Sequence, residues 1–479
     1  MVEVSIPGTP ERRPGTPERP LRVAIVGAGP TGFYAADHLL RQEGAVVEVD
    51  LFDRLPTPFG LVRLGVSPDH QKIKSVTAAF DKVAANPRFR FFGHVELGKD
   101  VELEDLRHHY HQILYCTGAQ TDRRMGIPGE DLRGSHPATE FVAWYNGHPD
   151  FRDCQFDLTQ ERVAVVGVGN VAVDVARILC RTPEELATTD IADYALEALR
   201  ASRVKEVYLL GRRGPAQAAF TNPEIKELGE LADADITARP EEVELDELTR
   251  ASLERTPDRA TLKKVEILRG YAEPKPRTKS KLLTVRFLVS PTELVGDETG
   301  GVVAMRLVRN RLEATPMGTL QPKPTGETED LPVGLVFRSV GYRGVPLRGV
   351  PFHENFGVIL NERGRVIDPD TKQPVAGEYA AGWIKRGPSG VIGTNKPDAA
   401  ETVACMMEDR AAGRVLRPEA PEPEAVDALL RQRQPLCFSY GDWRRLDQLE
   451  IAAGQRTGRP RVKFTSVEDM TAALGHRAE

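Results

Sequence analysis

Cysteine is scarce in this sequence, and its few copies are scattered. Only five occur among 479 residues, none of them in a C-x-x-C pair or in the spacing of an iron–sulfur ligand set. Structural disulfides, a zinc site, an intrinsic cluster and a redox-active dithiol are therefore all disfavoured. The five residues are Cys116, Cys154, Cys180, Cys405 and Cys437.

Long apolar runs and a dominant charge are also lacking. No stretch approaches the roughly 18 consecutive apolar residues that a membrane helix requires, and the start of the chain carries prolines and charges where a signal peptide would have an apolar core. The 64 basic and 70 acidic residues leave a net charge of −6, which gives no overall attraction for nucleic acid or an anionic membrane. We expect a cytoplasmic protein that is a monomer or a weak oligomer.

The length of the chain and its repeats suggest how it is organised. A single hydrophobic core stops growing at roughly 250 to 300 residues, so this chain should contain at least two domains. Residues 1–20 repeat a Gly-Thr-Pro-Glu-Arg phrase and are predicted to be a flexible Pro-rich arm, with the folded chain beginning at Leu21.

A first strand, glycine turn and helix open at Leu21, in the segment LRVAIVGAGPTGFYAADHLL. Gly27, Gly29 and Gly32 have the spacing that a dinucleotide turn requires, and Asp53 ends the following strand, where an acidic residue can accept hydrogen bonds from ribose hydroxyls. Such a site suits a cofactor with a free 2′-hydroxyl, namely FAD or NAD. The alternative, a plain strand-to-helix turn, explains the glycines but not the acidic residue.

A second unit of the same kind opens at Arg162, in the segment RVAVVGVGNVAVDVARILC. Its turn contains Gly167, Gly169 and Ala172, but its next strand ends in Arg212 and Arg213 where the first unit has an acidic residue. Two guanidinium groups can clamp a 2′-phosphate, so this site should prefer NADPH. The alternative is an ordinary solvated strand end.

The rest of the chain gives less specific signals. Between about 230 and 330, three stretches at 264–271, 282–290 and 302–310 suggest an antiparallel excursion of the second domain. Residues 331–344 suggest a return to the first domain. From about Pro418 the chain is charged and helical in pattern, with a basic stretch, GQRTGRPRVKF, at 454–464 whose role is open.

Two sites that bind different dinucleotides in one chain indicate hydride transfer from a nicotinamide to a flavin. Several longer segments, in order from residue 21 to about 400, narrow this further. They are VAIVGAGPTGFYAADHLL, TPFGLVRLGVSPDHQKIKSV (57–76), YCTGA (115–119), VVGVGNVAVDVARIL, LLGRRGPAQAAFTNPEIKEL, FRSVGYRG and AGWIKRGPSGVIGTNKPDA. In these segments the sequence closely resembles adrenodoxin reductase and the bacterial NADPH-ferredoxin reductases of that type.

The resemblance implies an α/β fold with two Rossmann-like dinucleotide-binding domains in a glutathione-reductase-like architecture. The NADPH domain, residues 121–330, would be inserted in an FAD domain made of residues 21–120 and 331–479. The implied reaction moves a hydride from NADPH to flavin N5 and then single electrons to a ferredoxin-type iron–sulfur protein. The Pro-rich arm and the segment 231–260 depart from the family pattern, which bears on partner choice more than on cofactors.

The resemblance also implies a set of site residues. His70, Glu224 and Trp383 would lie near the nicotinamide and the flavin edge, where the first two would orient the carboxamide and tune flavin reduction. From the residues alone, His70 is an ordinary turn residue and Glu224 an ordinary first-turn carboxylate. The FAD set is Gly27, Gly29, Pro30, Thr31, Gly32, Asp53, Arg54, Gly60, Leu61, Val62, Gly118, Trp383, Gly390, Val391, Ile392 and Thr394. The NADPH set is Gly167, Gly169, Asn170, Val171, Ala172, Arg212, Arg213 and Glu224.

Other functions of the same architecture need separate consideration. A flavin disulfide reductase needs two cysteines at the flavin, and a subunit like the small subunit of glutamate synthase would have an N-terminal cysteine cluster; neither pattern is present. A flavin monooxygenase and a non-enzymatic FAD scaffold stay open. The acceptor would dock on clustered cations, for which the candidates are Arg177, Arg181, Arg200, Arg203 and Lys205, although ordinary solvated helix faces explain them equally well.

Overall fold

The structure, a computed structural model, describes residues 13–475. Strands and helices alternate at its start, as the hydrophobic pattern predicts. The elements up to residue 122 are β1 (Leu21–Val26), α1 (Pro30–Leu40), β2 (Val47–Asp53), α2 (Leu61–Leu64), α3 (Gln71–Lys74), α4 (Thr77–Ala84), β3 (Phe89–Gly93), α5 (Leu103–His109), β4 (Gln112–Tyr115) and β5 (Thr121–Asp122).

The middle of the chain contains a second alternating unit and a run of long strands. Its elements are β6 (Ser135–Pro137), α6 (Ala138–Tyr145), β7 (Arg162–Val166), α7 (Asn170–Cys180), α8 (Pro183–Leu186), α9 (Asp193–Arg200), β8 (Glu206–Leu210), α10 (Asn222–Glu227), β9 (Ala234–Ala238), α11 (Pro240–Val243), α12 (Glu247–Arg255), α13 (Arg259–Ala272), β10 (Lys281–Arg286), β11 (Val289–Gly296), β12 (Val302–Ala314), β13 (Leu320–Pro332) and β14 (Leu335–Arg338).

The last part of the chain contains short strands followed by helices. Its elements are β15 (Tyr342–Arg343), β16 (Phe352–His353), β17 (Val358–Ile359), β18 (Asn361–Glu362), β19 (Arg365–Ile367), β20 (Pro374–Ala380), α14 (Trp383–Arg386), α15 (Asn395–Ala411), α16 (Pro423–Arg433), α17 (Tyr440–Gln455) and α18 (Val467–Leu474). The charged C-terminal segment is therefore helical, as its pattern predicts. No helix within residues 13–475 combines the length and apolar character needed to cross a membrane.

Two sheets organise the molecule. The first has the strand order β18-β19-β20-β4-β1-β2-β3 and so contains strands from both ends of the chain, while the second has the order β6-β14-β7-β8-β10-β9 and is parallel throughout. Strand β1 is buried at every position because helices cover both faces of its sheet. Strands β11, β12 and β13 form an antiparallel excursion, as expected for residues 302–310. The expectation is wrong for residues 282–286, which lie in β10 and pair in parallel with β8 and β9 of the second sheet. The two-sheet α/β fold predicted from the glycine turns is confirmed.

The expectation of a strand at residues 264–271 is wrong. These residues lie in α13, where Val265 and Leu268 are buried three positions apart on one face. The Asp258 side chain caps this helix by accepting hydrogen bonds from the backbone N–H groups of Ala260 and Thr261. Helical spacing and the cap outweigh the strand preference of the local Val and Ile residues.

The chain also rejoins the first sheet later than residues 331–344 suggest. Residues 335–338 form β14, which pairs in parallel with β6 and β7 of the second sheet. The apolar run LVF is typical of any buried parallel strand, so its pattern cannot tell which sheet will contain it.

The folded chain begins before Leu21, contrary to expectation. The carbonyl oxygen of Gly15 accepts a hydrogen bond from the backbone N–H of Val46 at 2.9 Å. The carbonyl oxygen of Pro14 accepts one from Arg410 at 2.7 Å. The part of the arm before residue 13 lies outside the described residues.

Candidate functional site

The first glycine turn lies between β1 and α1. Two of its glycines are packed against other backbone atoms, and the third faces open space. A Cβ atom on Gly27, whose φ is +110°, would lie 2.5 Å from the carbonyl oxygen of Cys116, and one on Gly32 would overlap the carbonyl oxygen of Gly27. A Cβ atom on Gly29 would meet nothing within 4 Å. Two of the glycines are therefore needed for packing, whereas the third leaves the backbone accessible to a diphosphate.

Helix α1 begins at this turn with its N–H groups uncapped. Pro30 occupies the first turn, no side chain caps the helix, and the first turn contains no acidic residue. Free N–H groups and the positive end of the helix dipole together form an anion site. Thr31 and Gly32 are buried in the same turn.

Asp53 lies at the end of β2, beside the turn. One of its carboxylate oxygens accepts a hydrogen bond from the backbone N–H of Ala28 at 2.8 Å, and the other accepts one from Leu55 at 2.9 Å. Burial raises the pKa of Asp53, and these two donors oppose that rise. Each oxygen has a further lone pair for a ribose hydroxyl. The neighbouring Arg54 guanidinium pairs with Asp150 at 2.6 Å.

Two other predicted segments border the start of α1. A Cβ atom on Gly60 would lie 3.1 Å from the Cα of Gly29, and one on Gly382 would overlap the hydroxyl of Thr31. Two large apolar side chains of these segments are exposed, namely Leu61 (38%) and Val391 (52%). Exposed apolar side chains of this kind are suited to packing against a flat aromatic ring. Val62, by contrast, is fully buried, so any contact of this residue with FAD would be through its backbone.

The residues expected around the flavin ring form one glycine-rich segment. The Trp383 indole N–H donates to the carbonyl of Ser389 at 3.2 Å, and its ring lies 5.5 Å from that of Tyr342. Gly390 has a φ of +80°, and the Thr394 hydroxyl donates to the carbonyl of Val391 at 2.7 Å. Ile392 begins a short 3-10 turn that leads into α15. Gly118, just after β4, has a φ of +74° and no atom within 4 Å of its Cβ position.

The second glycine turn, between β7 and α7, repeats this construction. A Cβ atom on Gly167 would overlap the carbonyl oxygen of Ser339, whereas one on Gly169 would meet nothing within 4 Å. Ala172 is fully buried against the sheet, and α7, which starts with Asn170 and Val171, also lacks a capping side chain and an acidic first turn. The Asn170 side-chain oxygen accepts a hydrogen bond from the backbone N–H of Thr221 at 2.9 Å.

Arg212 and Arg213 follow β8 at the edge of this turn. Within residues 13–475, neither guanidinium group has a hydrogen bond or ion pair, although many other arginines there do. Burial and the charge of Arg212 together lower the pKa of Arg213. These two adjacent guanidinium groups have no carboxylate partner among the described residues and repel each other. A bound anion would stabilise both of them in their charged form.

His70 and Glu224 lie next to each other. His70 Nδ1 is 3.8 Å from a Glu224 oxygen, and His70 Nε2 is 2.9 Å from a Glu227 oxygen. Glu227 is absent from the sequence prediction, although its position one helical turn after Glu224 places both carboxylates on the same face of α10. The ligand atoms of the three residues lie within 4.8 Å of one another, but the Arg177 guanidinium already supplies positive charge at their centre.

The expectation that Arg177 and Arg181 form part of a docking patch is wrong. Arg177 has no exposed surface, and both side chains pair with Asp69 at 2.7 Å. Their charges are thus neutralised at the boundary between the two sheets. Arg200, Arg203 and Lys205 are exposed, and their role in docking stays a prediction.

Comparisons with known proteins agree with this geometry. Residues 21–227 match the family model described as pyridine nucleotide-disulphide oxidoreductase. The chain is 45% identical over 460 residues to the NADPH-ferredoxin reductase FprA of Mycobacterium tuberculosis, covering 94% of this chain and 98% of that protein. It is 41% identical over 473 residues to the human mitochondrial NADPH:adrenodoxin oxidoreductase, covering 96% and 93%. The solved structure of M. tuberculosis FprA in complex with NADPH superposes with a TM-score of 0.89 at 44% identity and covers 95% of this chain and all of that one.

Proposed function

Because the chain belongs to the family of the NADPH-ferredoxin and adrenodoxin reductases, we propose that it passes electrons from NADPH through bound FAD to a ferredoxin-type iron–sulfur protein. One observation carries this proposal. The chain has two uncapped glycine turns of the same construction, one beside Asp53 and the other beside the unpaired Arg212 and Arg213. A single protein that distinguishes two dinucleotides in this way is suited to transferring electrons between them.

FAD, when bound, accepts a hydride and can release the two electrons singly. The first sheet would bind it, with the α1 N-terminus at the diphosphate, Asp53 at the ribose, and Leu61 and Val391 against the ring. The segment around Trp383 would lie next to the nicotinamide. These assignments put the FAD domain in residues 21–120 together with the C-terminal part of the chain.

The second sheet would bind NADPH. The α7 N-terminus would face its diphosphate, and Arg212 with Arg213 would clamp its 2′-phosphate through charge-assisted hydrogen bonds. His70 and Glu224, at the boundary between the sheets, would orient the carboxamide of the nicotinamide. We also propose a cytoplasmic location, where NADPH is available.

An anaerobic titration of the purified flavoprotein tests the function. NADPH should bleach the visible flavin band at a much lower concentration than NADH, and an oxidised ferredoxin should then restore it. Bleaching without recovery by any ferredoxin would argue for another acceptor, such as oxygen with an organic substrate in a monooxygenase. A flavin that NADPH does not bleach would contradict the proposal and favour an FAD scaffold.

A further inference from the structure

Arg177 is the centre of a buried cluster of charged groups from three segments of the chain. Its Nε and one terminal nitrogen bond both oxygens of Asp69, at 2.7 and 3.1 Å. The same terminal nitrogen lies 2.7 Å from Asp174 and 3.5 Å from His70 Nδ1. The other terminal nitrogen lies 3.2 Å from Glu224. Every nitrogen of this fully buried guanidinium is therefore engaged.

The partners of Arg177 come from separate elements of the chain, between which Arg181–Asp69 and His70–Glu227 are further links. Asp69 directly precedes His70 in the segment between α2 and α3, which belongs with the first sheet. Glu224 lies on α10, and Arg177 itself lies on α7, both of which belong with the second sheet. One side chain thus connects the backbone that carries His70 to the carboxylate of Glu224. A guanidinium is suited to this because its planar fork forms several directed hydrogen bonds at once.

The electrostatics of the cluster depend on this cation. Burial raises the pKa of Asp174 to about 6, and burial acts in the same direction on Asp69, where the hydrogen bonds and charge of Arg177 hold the pKa well below its usual range. The other charged group close to Asp69 is Arg181, and Glu227 lies 3.9 Å from Arg177. Arg177 lies against four carboxylates, those of Asp69, Asp174, Glu224 and Glu227. Without its charge these carboxylates would repel one another and separate.

We propose that Arg177 is a positioning residue for hydride transfer, which sets the placement of His70 and Glu224 at the nicotinamide without contacting NADPH itself. The inference rests on the proposed function, since that function assigns the two residues to the nicotinamide. It predicts that changes at Arg177 slow flavin reduction and leave NADPH affinity, which Arg212 and Arg213 provide, nearly unchanged.

The test compares Arg177→Met with Arg181→Gln in anaerobic stopped-flow reduction by NADPH. Arg181 is the matched control because it also bonds Asp69 at 2.7 Å but contacts neither His70 nor Glu224. Arg177→Met should lower the limiting rate of flavin reduction by about 10- to 100-fold, the loss that a small misplacement of reacting groups produces. Arg181→Gln should stay within about threefold of wild type. The dissociation constant for NADP+, followed by the flavin difference spectrum, should change less than about threefold in both.

A second variant keeps the test decisive if Arg177→Met does not fold. Arg177→Lys retains the charge but cannot reach three carboxylates at once, so it should fold and still reduce the flavin at least about tenfold more slowly than wild type. A wild-type limiting rate in Arg177→Met or Arg177→Lys would overturn the inference while leaving the proposed function intact. A rate loss that appears only as weaker NADP+ binding would also overturn it. If NADPH does not reduce the wild-type flavin, the proposed function itself fails.

Discussion

Arg63 and Glu450, 387 positions apart, form a two-pronged ion pair in the interior of the protein, with nitrogen–oxygen distances of 2.8 and 2.5 Å. Arg63 lies on α2, which begins directly after Gly60 at the first glycine turn, and Glu450 lies on α17 in the C-terminal segment. The basic stretch 454–464 continues from there, and the Lys463 ammonium donates to the backbone carbonyls of Arg63 and Asn146 at 3.2 and 3.1 Å. The C-terminal segment therefore connects the two halves of the molecule.

Asp190 is the residue whose change should damage this connection most. Burial alone would raise its pKa, but Lys463 at 3.3 Å and Lys74 at 2.7 Å hold that pKa at about 2. Asp190→Asn should leave two buried ammonium groups without an anion and cost about 3–5 kcal/mol. A fall in the thermal midpoint of the holoprotein measures this loss. Glu161→Gln, which breaks an exposed pair with Lys205, is the control and should cost at most about 1 kcal/mol; equal midpoints for the two variants would contradict the assignment.

The first glycine turn predicts a difference between two similar substitutions. Gly29→Ala should leave the apoprotein as stable as wild type, because its Cβ meets no protein atom, but the methyl group should obstruct the diphosphate and weaken FAD binding. Gly32→Ala should lower both apoprotein stability and FAD binding, since its Cβ overlaps the carbonyl oxygen of Gly27. Thermal midpoints of the apoproteins and flavin content after purification check both. Normal flavin content in Gly29→Ala would place the diphosphate elsewhere.

The two arginines after β8 should determine the choice of nicotinamide cofactor. Replacing Arg212 and Arg213 by Ala should raise the Michaelis constant for NADPH by about 10- to 100-fold, since hydrogen bonds to charged groups contribute about 1.5–3 kcal/mol. The constant for NADH, which lacks the 2′-phosphate, should change less than about twofold. Steady-state reduction of a small electron acceptor measures both constants. Equal changes for the two cofactors would remove the 2′-phosphate assignment.

His111 should contribute to acid sensitivity. Its Nδ1 accepts a hydrogen bond from the backbone N–H of Arg22 at 3.0 Å, and burial together with the charges of Arg19 and Arg22 lowers its pKa to about 4. His111 binds a proton near pH 6.5 in the unfolded chain but only near pH 4 in the folded protein. Protonation therefore favours the unfolded chain, so the folding free energy is unaffected by His111 protonation above pH 6.5 and becomes less favourable as the pH falls toward 4. The loss is at most about 3.5 kcal/mol, at about 1.4 kcal/mol per pKa unit.

The measurement is the difference in thermal midpoint between pH 7 and pH 5. His111→Gln should be less stable than wild type at pH 7 but lose less on acidification. His108→Gln, at a side chain that is 45% exposed, is the control and should follow the wild-type pH dependence. The same acid sensitivity in His111→Gln and in wild type would show that another group is responsible.

The sequence by itself determined the features that local chemistry decides. A glycine turn, the uncapped helix that follows it and the residue that ends the next strand lie within one short segment, so Gly27, Asp53 and Arg212 could be singled out without knowing the fold. The family resemblance covers segments from residue 21 to about 400, and the comparisons confirm the family. The two-sheet α/β fold follows from the same repeated segments.

Only the tertiary structure decided the features that depend on distant partners. The charge of Arg177 is visible in the sequence, but its burial is not, because Asp69 lies 108 positions away. Residues 335–338 look the same in either sheet, since every buried parallel strand has a continuous apolar run. The basic stretch at 454–464 likewise gained its role only when folding brought Asp190 and Arg63 to Lys463. A charged side chain specifies what it can bind, whereas the fold alone determines which opposite charge it meets.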